Sequence, residues 1–350
     1  MPRPLDQLGR PLGVLRLSLT ARCNLACPYC LPDGQEPPGL LSLQQRLQVI
    51  AAAVDLGVHS LRLTGGEPLL HHQLEALIAA VQPLRSRGLG EIALTSNGAL
   101  LTAARARALR AAGLDRITLS LDGTTGAAVA RMAGMAQGDA HARERRGAAL
   151  LSQVLAAIDH ARAAGFDPGQ GALKLNAVIQ RAANDEQLLP LASLARDRGL
   201  ELRLIEFMDV GNRNGWSQAA VVPAAEMVTT ISARWPLEPL GRAGHSTASR
   251  WRYCDGNGAV AIVASVSEPF CGDCNRLRVT ADGIAYTCLF AEPGSGVDLK
   301  PSLHDDGDPD RLQQVMAALW QRRADRYSEE RHTRGLQPAP AHAEMAYLGG

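Results

Sequence analysis

Three of the seven cysteines in this 350-residue chain fall within one short stretch, Cys23, Cys27 and Cys30, with the spacing C-x3-C-x2-C. A structural zinc ion usually takes four protein ligands, often from paired C-x2-C hooks. Three thiolates on one tight loop suit a cubane iron–sulfur cluster better, because three irons take a cysteine each and the fourth stays open. An open iron can bind a small chelating molecule, and Tyr29 offers that molecule an aromatic face. A zinc knuckle and plain buried thiols are the competing readings. Cys271, Cys274 and Cys288 form a second group, C-x2-C-x13-C. A turn at Ala281-Asp282-Gly283 folds Cys288 back beside the hook. With Cys254 or His304 as a fourth ligand this group reads as a zinc ribbon; with three ligands it reads as another cluster with an open iron.

The elements that must position these groups follow a regular rhythm. An alternating strand over 15–19 runs straight into the first cysteine loop. Ser42 and Gln45 form a capping box opening a helix to about Leu56. Strands follow at 60–63, 91–95, 116–120, 173–178 and 202–207, separated by helices at about 73–86, 103–112, 148–164 and 186–198. Six strand–helix units in succession imply a parallel sheet with right-handed crossovers. Six are too few for a complete eight-fold barrel, so the expected fold is α/β, a partial, open (β/α)6 TIM-like barrel. The unusual segments (the cysteine loop, Thr64-Gly65-Gly66-Glu67-Pro68, Ser96-Asn97-Gly98 and Leu121-Asp122-Gly123) all fall at C-terminal strand ends, the active-site face of such barrels. Residues 124–147 read as a surface excursion, partly helical and mobile. Past Met208 the rhythm stops. A polar linker over 209–221, a helix over 223–234, short strands at 251–253 and 260–264, the second cysteine group and a last helix over 311–323 suggest a C-terminal extension. The division is 1–210 for the barrel and 211–350 for the region carrying the second cysteines.

Composition excludes several classes. Hydrophobic content of 46% and charged content of 20% describe a globular chain. A net charge of +1 leaves no footprint for nucleic acid or an acidic membrane. No apolar run reaches membrane-spanning length, and the start lacks a signal-peptide pattern. The expected location is cytoplasmic, where thiols stay reduced. An odd cysteine count in two local groups argues against a disulfide framework. Arg16, Arg62 and Arg203 occupy predicted strands, where a guanidinium is costly unless paired, so they favour an anionic ligand over an outward, solvated face. Lys174 and Lys300 are the only lysines.

The pattern C-x3-C-x-aromatic-C resembles the radical S-adenosylmethionine enzymes. Cys271-Gly272-Asp273-Cys274-Asn275-Arg276-Leu277-Arg278, then Thr280-Ala281-Asp282-Gly283 and Cys288-Leu289-Phe290, narrow the resemblance to the GTP 3′,8-cyclases of molybdenum cofactor biosynthesis. Leu15-Arg16-Leu17-Ser18-Leu19-Thr20, Leu63 to Pro68, Lys174-Leu175-Asn176 and the terminal Gly349-Gly350 match as well, so the likeness runs from about residue 13 to the end.

The resemblance implies two [4Fe–4S] clusters, one on Cys23, Cys27 and Cys30 and one on Cys271, Cys274 and Cys288. S-adenosylmethionine would lie on the first, beside Tyr29, with Gly65, Gly66 and Glu67 at its amino group and Ser120 and Met208 lining its pocket. GTP would be met by Arg16, Arg62, Thr95, Lys174, Arg203, Arg276 and Arg278, with its guanine at the second cluster. Arg276 and Arg278, with Gly349 and Gly350 of a tail reaching into the site, are implied in catalysis. An adenosyl radical would take hydrogen from C3′, and C3′ would then bond to C8, giving 3′,8-cyclo-7,8-dihydro-GTP. The implied partners are an electron donor such as flavodoxin or ferredoxin and the next pathway enzyme, cyclic pyranopterin monophosphate synthase; a homodimer is compatible.

Some positions depart from the family: His71-His72 stands where an arginine pair is usual, Ser96 replaces a threonine, and the excursion is longer. Cys254 has no implied role and is expected to be a small buried side chain. The competing readings are a peptide-modifying radical enzyme, which typically carries more C-terminal cysteines, and a non-catalytic zinc protein, which would be colourless and free of sulfide.

Overall fold

Alternation along the strands decides the architecture. In β1 (Val14–Ser18), β2 (Ser60–Thr64), β3 (Glu91–Ser96), β4 (Arg116–Ser120), β5 (Leu173–Ile179) and β6 (Glu201–Glu206), every second residue is apolar and fully buried, as with Leu15, Leu61, Leu94, Leu119, Leu175 and Leu204. Successive side chains on a strand point to opposite faces. The apolar set therefore packs outward against helices α1 (Leu43–Asp55), α2 (Leu74–Ala80) and α3 (Ala103–Ala111), forming one continuous core with them. The alternate residues, Arg16, Arg62, Thr95, Lys174 and Arg203 among them, face the lumen and line its cavities. Barrels of this kind are normally filled with branched apolar side chains. Here the lumen is polar, so it is a chamber and not a core.

The computed structural model describes residues 3–32, 34–303, 309–331 and 341–349. Gly350 and His304 lie outside these residues. The sheet has twelve strands in the order β12-β11-β10-β1-β2-β3-β4-β5-β6-β9-β8-β7. It includes the late strands β7 (Leu237–Gly241), β8 (Ser249–Tyr253), β9 (Ala259–Val263), β10 (Arg276–Val279), β11 (Ile284–Tyr286) and β12 (Val297–Asp298). β10 lies parallel to β1, and β9 lies parallel to β6. Each edge of the six-strand barrel thus gains a parallel strand from the C-terminal half, which the count of strand–helix units does not foresee. These two strands are joined by 264–275 without a helix, so they carry no β/α rhythm. β9 and β10 are not neighbours in the sheet, which stays open. β7 escapes sequence reading because Pro239 and mostly exposed residues interrupt it, as suits an edge strand.

The expected mobile excursion is instead an ordered helical hairpin, α4 (Gly126–Met132) and α5 (Ala140–Ala163), followed by α6 (Leu188–Asp197) after β5. Gly and Ala, read as loop composition, serve close packing. A Cβ on Gly147 would collide with the carbonyl of Gly126, and one on Gly134 with the carbonyl of Ala26. Ala26 N donates to Ala133 O at 3.2 Å, so the hairpin braces the first cysteine loop. Helices α7 (Ala224–Arg234), α8 (Pro309–Gln321), α9 (Tyr327–Glu330) and α10 (Met345–Leu348) complete the set. Among the described residues no helix is long and apolar enough to cross a membrane. Cys254 is exposed, contrary to its expected burial, because it follows β8 in the turn toward β9.

Helix propensity alone favours alanine over glycine by about 1 kcal/mol at an interior position such as 147. The steric conflict with backbone outweighs this, so Gly147→Ala should destabilise the protein by about 1–3 kcal/mol. Thermal unfolding of the two proteins checks the sign; an unchanged or raised Tm would show that the hairpin can separate freely.

Candidate active site

The first cysteine loop is built on backbone contacts between the ends of β1 and β2. Gly66 N donates to Thr20 O at 2.7 Å and Glu67 N to Arg22 O at 2.8 Å. A Cβ on Gly66 would collide with the Arg22 carbonyl, and Gly65 has a φ of +146°, so both glycines are required by approach and conformation. Glu36 accepts from Ala21 N at 2.9 Å and from the Thr20 hydroxyl. Leu31, directly after Cys30, takes a φ of 44°, an uncommon conformation for leucine. Its N–H donates to Cys27 O at 2.9 Å, and its carbonyl accepts from Arg213 Nη2 at 2.8 Å.

Cys23, Cys27 and Cys30 are free thiols lining one cavity with Tyr29, Gly65, Gly66, Glu67 and Ser120. Burial, then the neighbouring Cys23 and Glu344, pushes Cys30 up to about 12. Burial likewise raises Cys23 and Cys27. A cationic metal core would reverse that penalty by stabilising the thiolates. Among the described residues no three His, Cys, Asp or Glu side chains converge as a single ion would need. Thiols set round a shared cavity fit a cubane, whose irons stand apart, better than a mononuclear zinc.

Glu67 is 1% exposed. Its carboxylate accepts from Leu69 N at 2.9 Å, Ser96 Oγ at 2.8 Å and Asn97 N at 2.8 Å. Burial raises its pKa against these bonds. Three donors leave about one of its four lone-pair sites for a ligand ammonium. The Tyr29 hydroxyl donates to Asp122 Oδ2 at 2.7 Å, which fixes the ring at the cavity wall. Asp122 also accepts from Val178 N at 2.8 Å, and burial lifts it to about 6. Met208 is placed apart from these residues: it lines the adjoining cavity and packs on Val210, Phe290 and Tyr327.

That adjoining cavity brings Arg16, Arg62, Thr95, Arg203, Arg276 and Arg278 together with Cys271, Cys274 and Cys288. Sheet register explains the arrangement, because Arg278, Arg16 and Arg62 are direct partners across β10, β1 and β2. Lys174 lies further along, in a second chamber that shares Arg16, Arg62, Arg203 and Arg276. It pairs with Glu201 at 2.7 Å, and Arg62 lies 3.6 Å from Glu91. Burial and mutual repulsion oppose the charges. Burial, then Arg116, takes Arg62 down to about 9; burial, then Arg276, takes Arg278 to about 10. Arg16 falls well below its usual range through burial and then Arg278, Arg62, Arg276 and Arg203. Arg278 Nη1 is buried without a hydrogen-bond partner among the described residues. Among the described residues the one carboxylate lining this cavity is Asp325, already paired with Arg323.

The tail returns to this chamber. Gly349 O accepts from Arg16 Nε at 3.1 Å and Nη2 at 2.9 Å, and from Thr64 Oγ1 at 3.1 Å. Residues that sequence reading missed support the second cysteine group. Arg10 and Arg323 donate to the Cys271 and Cys274 carbonyls, and Thr287 holds Asp325. No motif marks them: Arg323 closes the expected last helix, Arg10 and Asp325 lie outside any expected element, and charge is the signal these three carry.

An open α/β barrel with a three-cysteine loop after its first strand defines a radical S-adenosylmethionine enzyme, and the family described as Radical SAM superfamily matches residues 17–195. The family described as Molybdenum Cofactor Synthesis C matches residues 200–329. Among curated relatives, a GTP 3′,8-cyclase of Synechococcus sp. (strain CC9902) is 60% identical over 346 residues, covering 99% of this chain and 98% of its own. A GTP 3′,8-cyclase of Acidothermus cellulolyticus is 41% identical over 383 residues, covering 100% of both chains. The chain belongs to the GTP 3′,8-cyclase family. Its fold is shared with Streptococcus suis SuiB bound to S-adenosylmethionine, at a TM-score of 0.59 and 14% identity, covering 97% of this chain and 78% of that one.

Gly349 has a φ of +69°, and a Cβ there would strike Thr64 Oγ1. Gly349→Ala should therefore displace the tail from Arg16, lowering GTP cyclisation while leaving iron content unchanged. Wild-type turnover in this variant would remove the tail from the site.

Proposed function

We propose that this chain is a cytoplasmic GTP 3′,8-cyclase that converts GTP to 3′,8-cyclo-7,8-dihydro-GTP, the first step of molybdenum cofactor biosynthesis. One observation carries the reading: a chamber crowded with buried guanidiniums holds the second cysteine group and adjoins the cavity of the first, with Thr95, Asn176 and Ile205 in the wall of both. When bound, the cluster and S-adenosylmethionine supply the 5′-deoxyadenosyl radical that takes hydrogen from C3′ of GTP. Cys23, Cys27 and Cys30 are suited to hold that cluster. The turn at Gly65 and Gly66 lets backbone approach the methionine end, and the remaining acceptor site of Glu67 suits its ammonium. Tyr29 and Ser120 wall the same cavity. Met208 belongs to the substrate side in this reading.

Arg16, Arg62, Arg203, Arg276 and Arg278, with Thr95 and Lys174, bind the nucleotide. A triphosphate brings about four negative charges, and guanidinium forks bind phosphate oxygens in pairs. It would relieve the repulsion that depresses these groups. Cys271, Cys274 and Cys288 would hold a second [4Fe–4S] cluster, which would supply a binding point for the guanine edge and so help position the nucleotide. Arg276, stacked 5.3 Å from the Phe270 ring, and Arg278 flank that point. Gly349 orders Arg16 through its carbonyl, and Gly350, outside the described residues, is assigned to the same tail function. The chain divides near residue 210: the barrel carries the radical source and part of the nucleotide site, and residues 211–350 carry the second cysteine group and the rest of that site. A flavodoxin or ferredoxin supplies electrons, cyclic pyranopterin monophosphate synthase receives the product, and the chain works alone or as a homodimer.

Anaerobic incubation with GTP, S-adenosylmethionine and a reductant, followed by identification of the nucleotide, tests the reading; unchanged GTP beside cleaved S-adenosylmethionine would reject it. Reconstituted protein should hold about eight irons. Changing Cys271, Cys274 and Cys288 together to alanine should halve that number while S-adenosylmethionine still binds, and full iron retention would sink the second cluster. Arg276→Ala or Arg278→Ala should lower GTP turnover by on the order of 10²-fold or more, as losing a positioned charge in a dry site does. Uncoupled cleavage of S-adenosylmethionine should persist in both. Normal GTP turnover in both would remove these arginines from the site.

A further inference from the structure

Four charged side chains are assembled behind the second cysteine group. Asp6 and Arg10 precede β1, and Arg323 and Asp325 follow α8. Arg10 Nε donates to Asp6 Oδ2 at 2.5 Å, Arg323 Nη2 lies 3.0 Å from Asp325 Oδ1, and Arg323 Nη1 lies 3.7 Å from Asp6 Oδ2. The side chains of Asp6, Arg10 and Arg323 are 0%, 2% and 1% exposed. Two positive and two negative groups make the quartet formally neutral.

Its orientation is not neutral. Arg10 Nη1 donates to Cys271 O at 2.7 Å and to Asp325 O at 2.9 Å. Arg323 Nη1 donates to Cys274 O at 2.5 Å. On the other side, Asp325 Oδ2 accepts from Thr287 Oγ1, next to Cys288, at 2.8 Å. A cation therefore serves Cys274 and a carboxylate serves Cys288. Arg323 and Asp325 line the same cavity as the three cysteines. Arg10 Nη2 is buried with no hydrogen-bond partner among the described residues.

A staple between the chain's two ends does not require such a set. Buried ion networks are often no more stable than apolar side chains of equal volume. Two guanidiniums aimed at the carbonyls of both hook cysteines do have a use if a cluster sits there. Outer-shell partners orient metal ligands, and cluster potential follows local charge and hydrogen bonding.

We propose that Asp6, Arg10, Arg323 and Asp325 are positioning residues for the second iron–sulfur cluster: they fix the hook and set the cluster's reduction potential through opposite charges at Cys274 and Cys288. The proposal rests on the two-cluster reading. Arg323 contributes the cation that favours the reduced cluster, and Asp325 the anion that disfavours it. Arg10 and Asp6 lock the two in place from the other end of the chain.

The test uses the full chain, reconstituted anaerobically, with iron counted and each cluster titrated by electron paramagnetic resonance at controlled potential, without GTP or S-adenosylmethionine. Arg323→Gln should move the second cluster to a lower midpoint, and Asp325→Asn should move it to a higher one. The first cluster is the internal reference and should stay put. Shifts of the same sign, or none, in protein holding about eight irons would overturn the proposal and leave the two-cluster reading intact. About four irons in the unsubstituted protein would overturn both, and iron content alone separates the cases. If Arg323→Gln does not fold, the near-isosteric Asp325→Asn decides: an upward shift supports the assignment, and any other result rejects it.

Discussion

Like charges held close together inside a barrel are the constraint on which the rest of this structure depends. At an effective dielectric of about 20, two unit charges 4–6 Å apart repel by about 3–4 kcal/mol. Arg16, Arg62, Arg203, Arg276 and Arg278 share one cavity, and burial first, then neighbouring guanidiniums, lowers the pKa of Arg16, Arg62 and Arg278. The fold bears this repulsion in two ways. Leucines on the outer face of each of β1 to β6 bind the sheet to its helices, independently of what the lumen contains. Glu91 and Glu201 compensate at the strand starts, by Arg62 and Lys174, while among the described residues Asp325 is the one carboxylate lining the cavity at the cysteine end, where it pairs with Arg323. The excess of positive charge is thus directed to where a polyanion can lie between the two cysteine groups.

The second half of the chain is part of this chamber and not an appendage to it. β10 brings Arg278 into register with Arg16 and Arg276 with Val14, directly after the hook that holds Cys271 and Cys274. One strand therefore couples two chamber arginines to the second cysteine group, and its pairing with β1 couples both to the first loop. The carbonyl of Gly349 adds a neutral acceptor on Arg16 without adding charge. The α4–α5 hairpin has the corresponding task on the other side, pressing Ala133 and Gly134 against Ala26 in the first loop.

Much of this was legible in the amino-acid sequence, for physical reasons. Strand alternation is a local property, so the six strands of the barrel and the capping box at Ser42 stand where their residues place them. The cysteine spacings and the arginines on strands are also local. What was illegible depends on distant partners. Gly126 and Gly147 read as loop residues because nothing nearby shows that two helices cross there. β9 and β10 are short and lack a crossover helix, so their union with β6 and β1 could not be counted. Asp6 and Arg10 look like an ordinary polar start, and only their contact with residues more than 300 positions away gives them meaning. Met208 was assigned with the first cavity by family likeness, whereas its packing on Phe290 and Tyr327 sets it by the second.

The joining of the two ends has a consequence for how the chain is made. Domains generally fold as units from the N-terminus during synthesis, and long-range pairings form late. Here β1, emerging early, must wait for β10 to pair with its open edge, and Arg10 must wait for Arg323 and Asp325. Until then the nascent barrel lacks two of its arginines and its second cysteine group, while the first loop is already complete. Translation therefore imposes a timetable: the radical source can be equipped before the charged chamber is enclosed, and the reactive half is never sealed without its final residues. A ribosome that stalled after β6 would release a half-barrel with an exposed edge strand, a template for aggregation and a target for proteolysis.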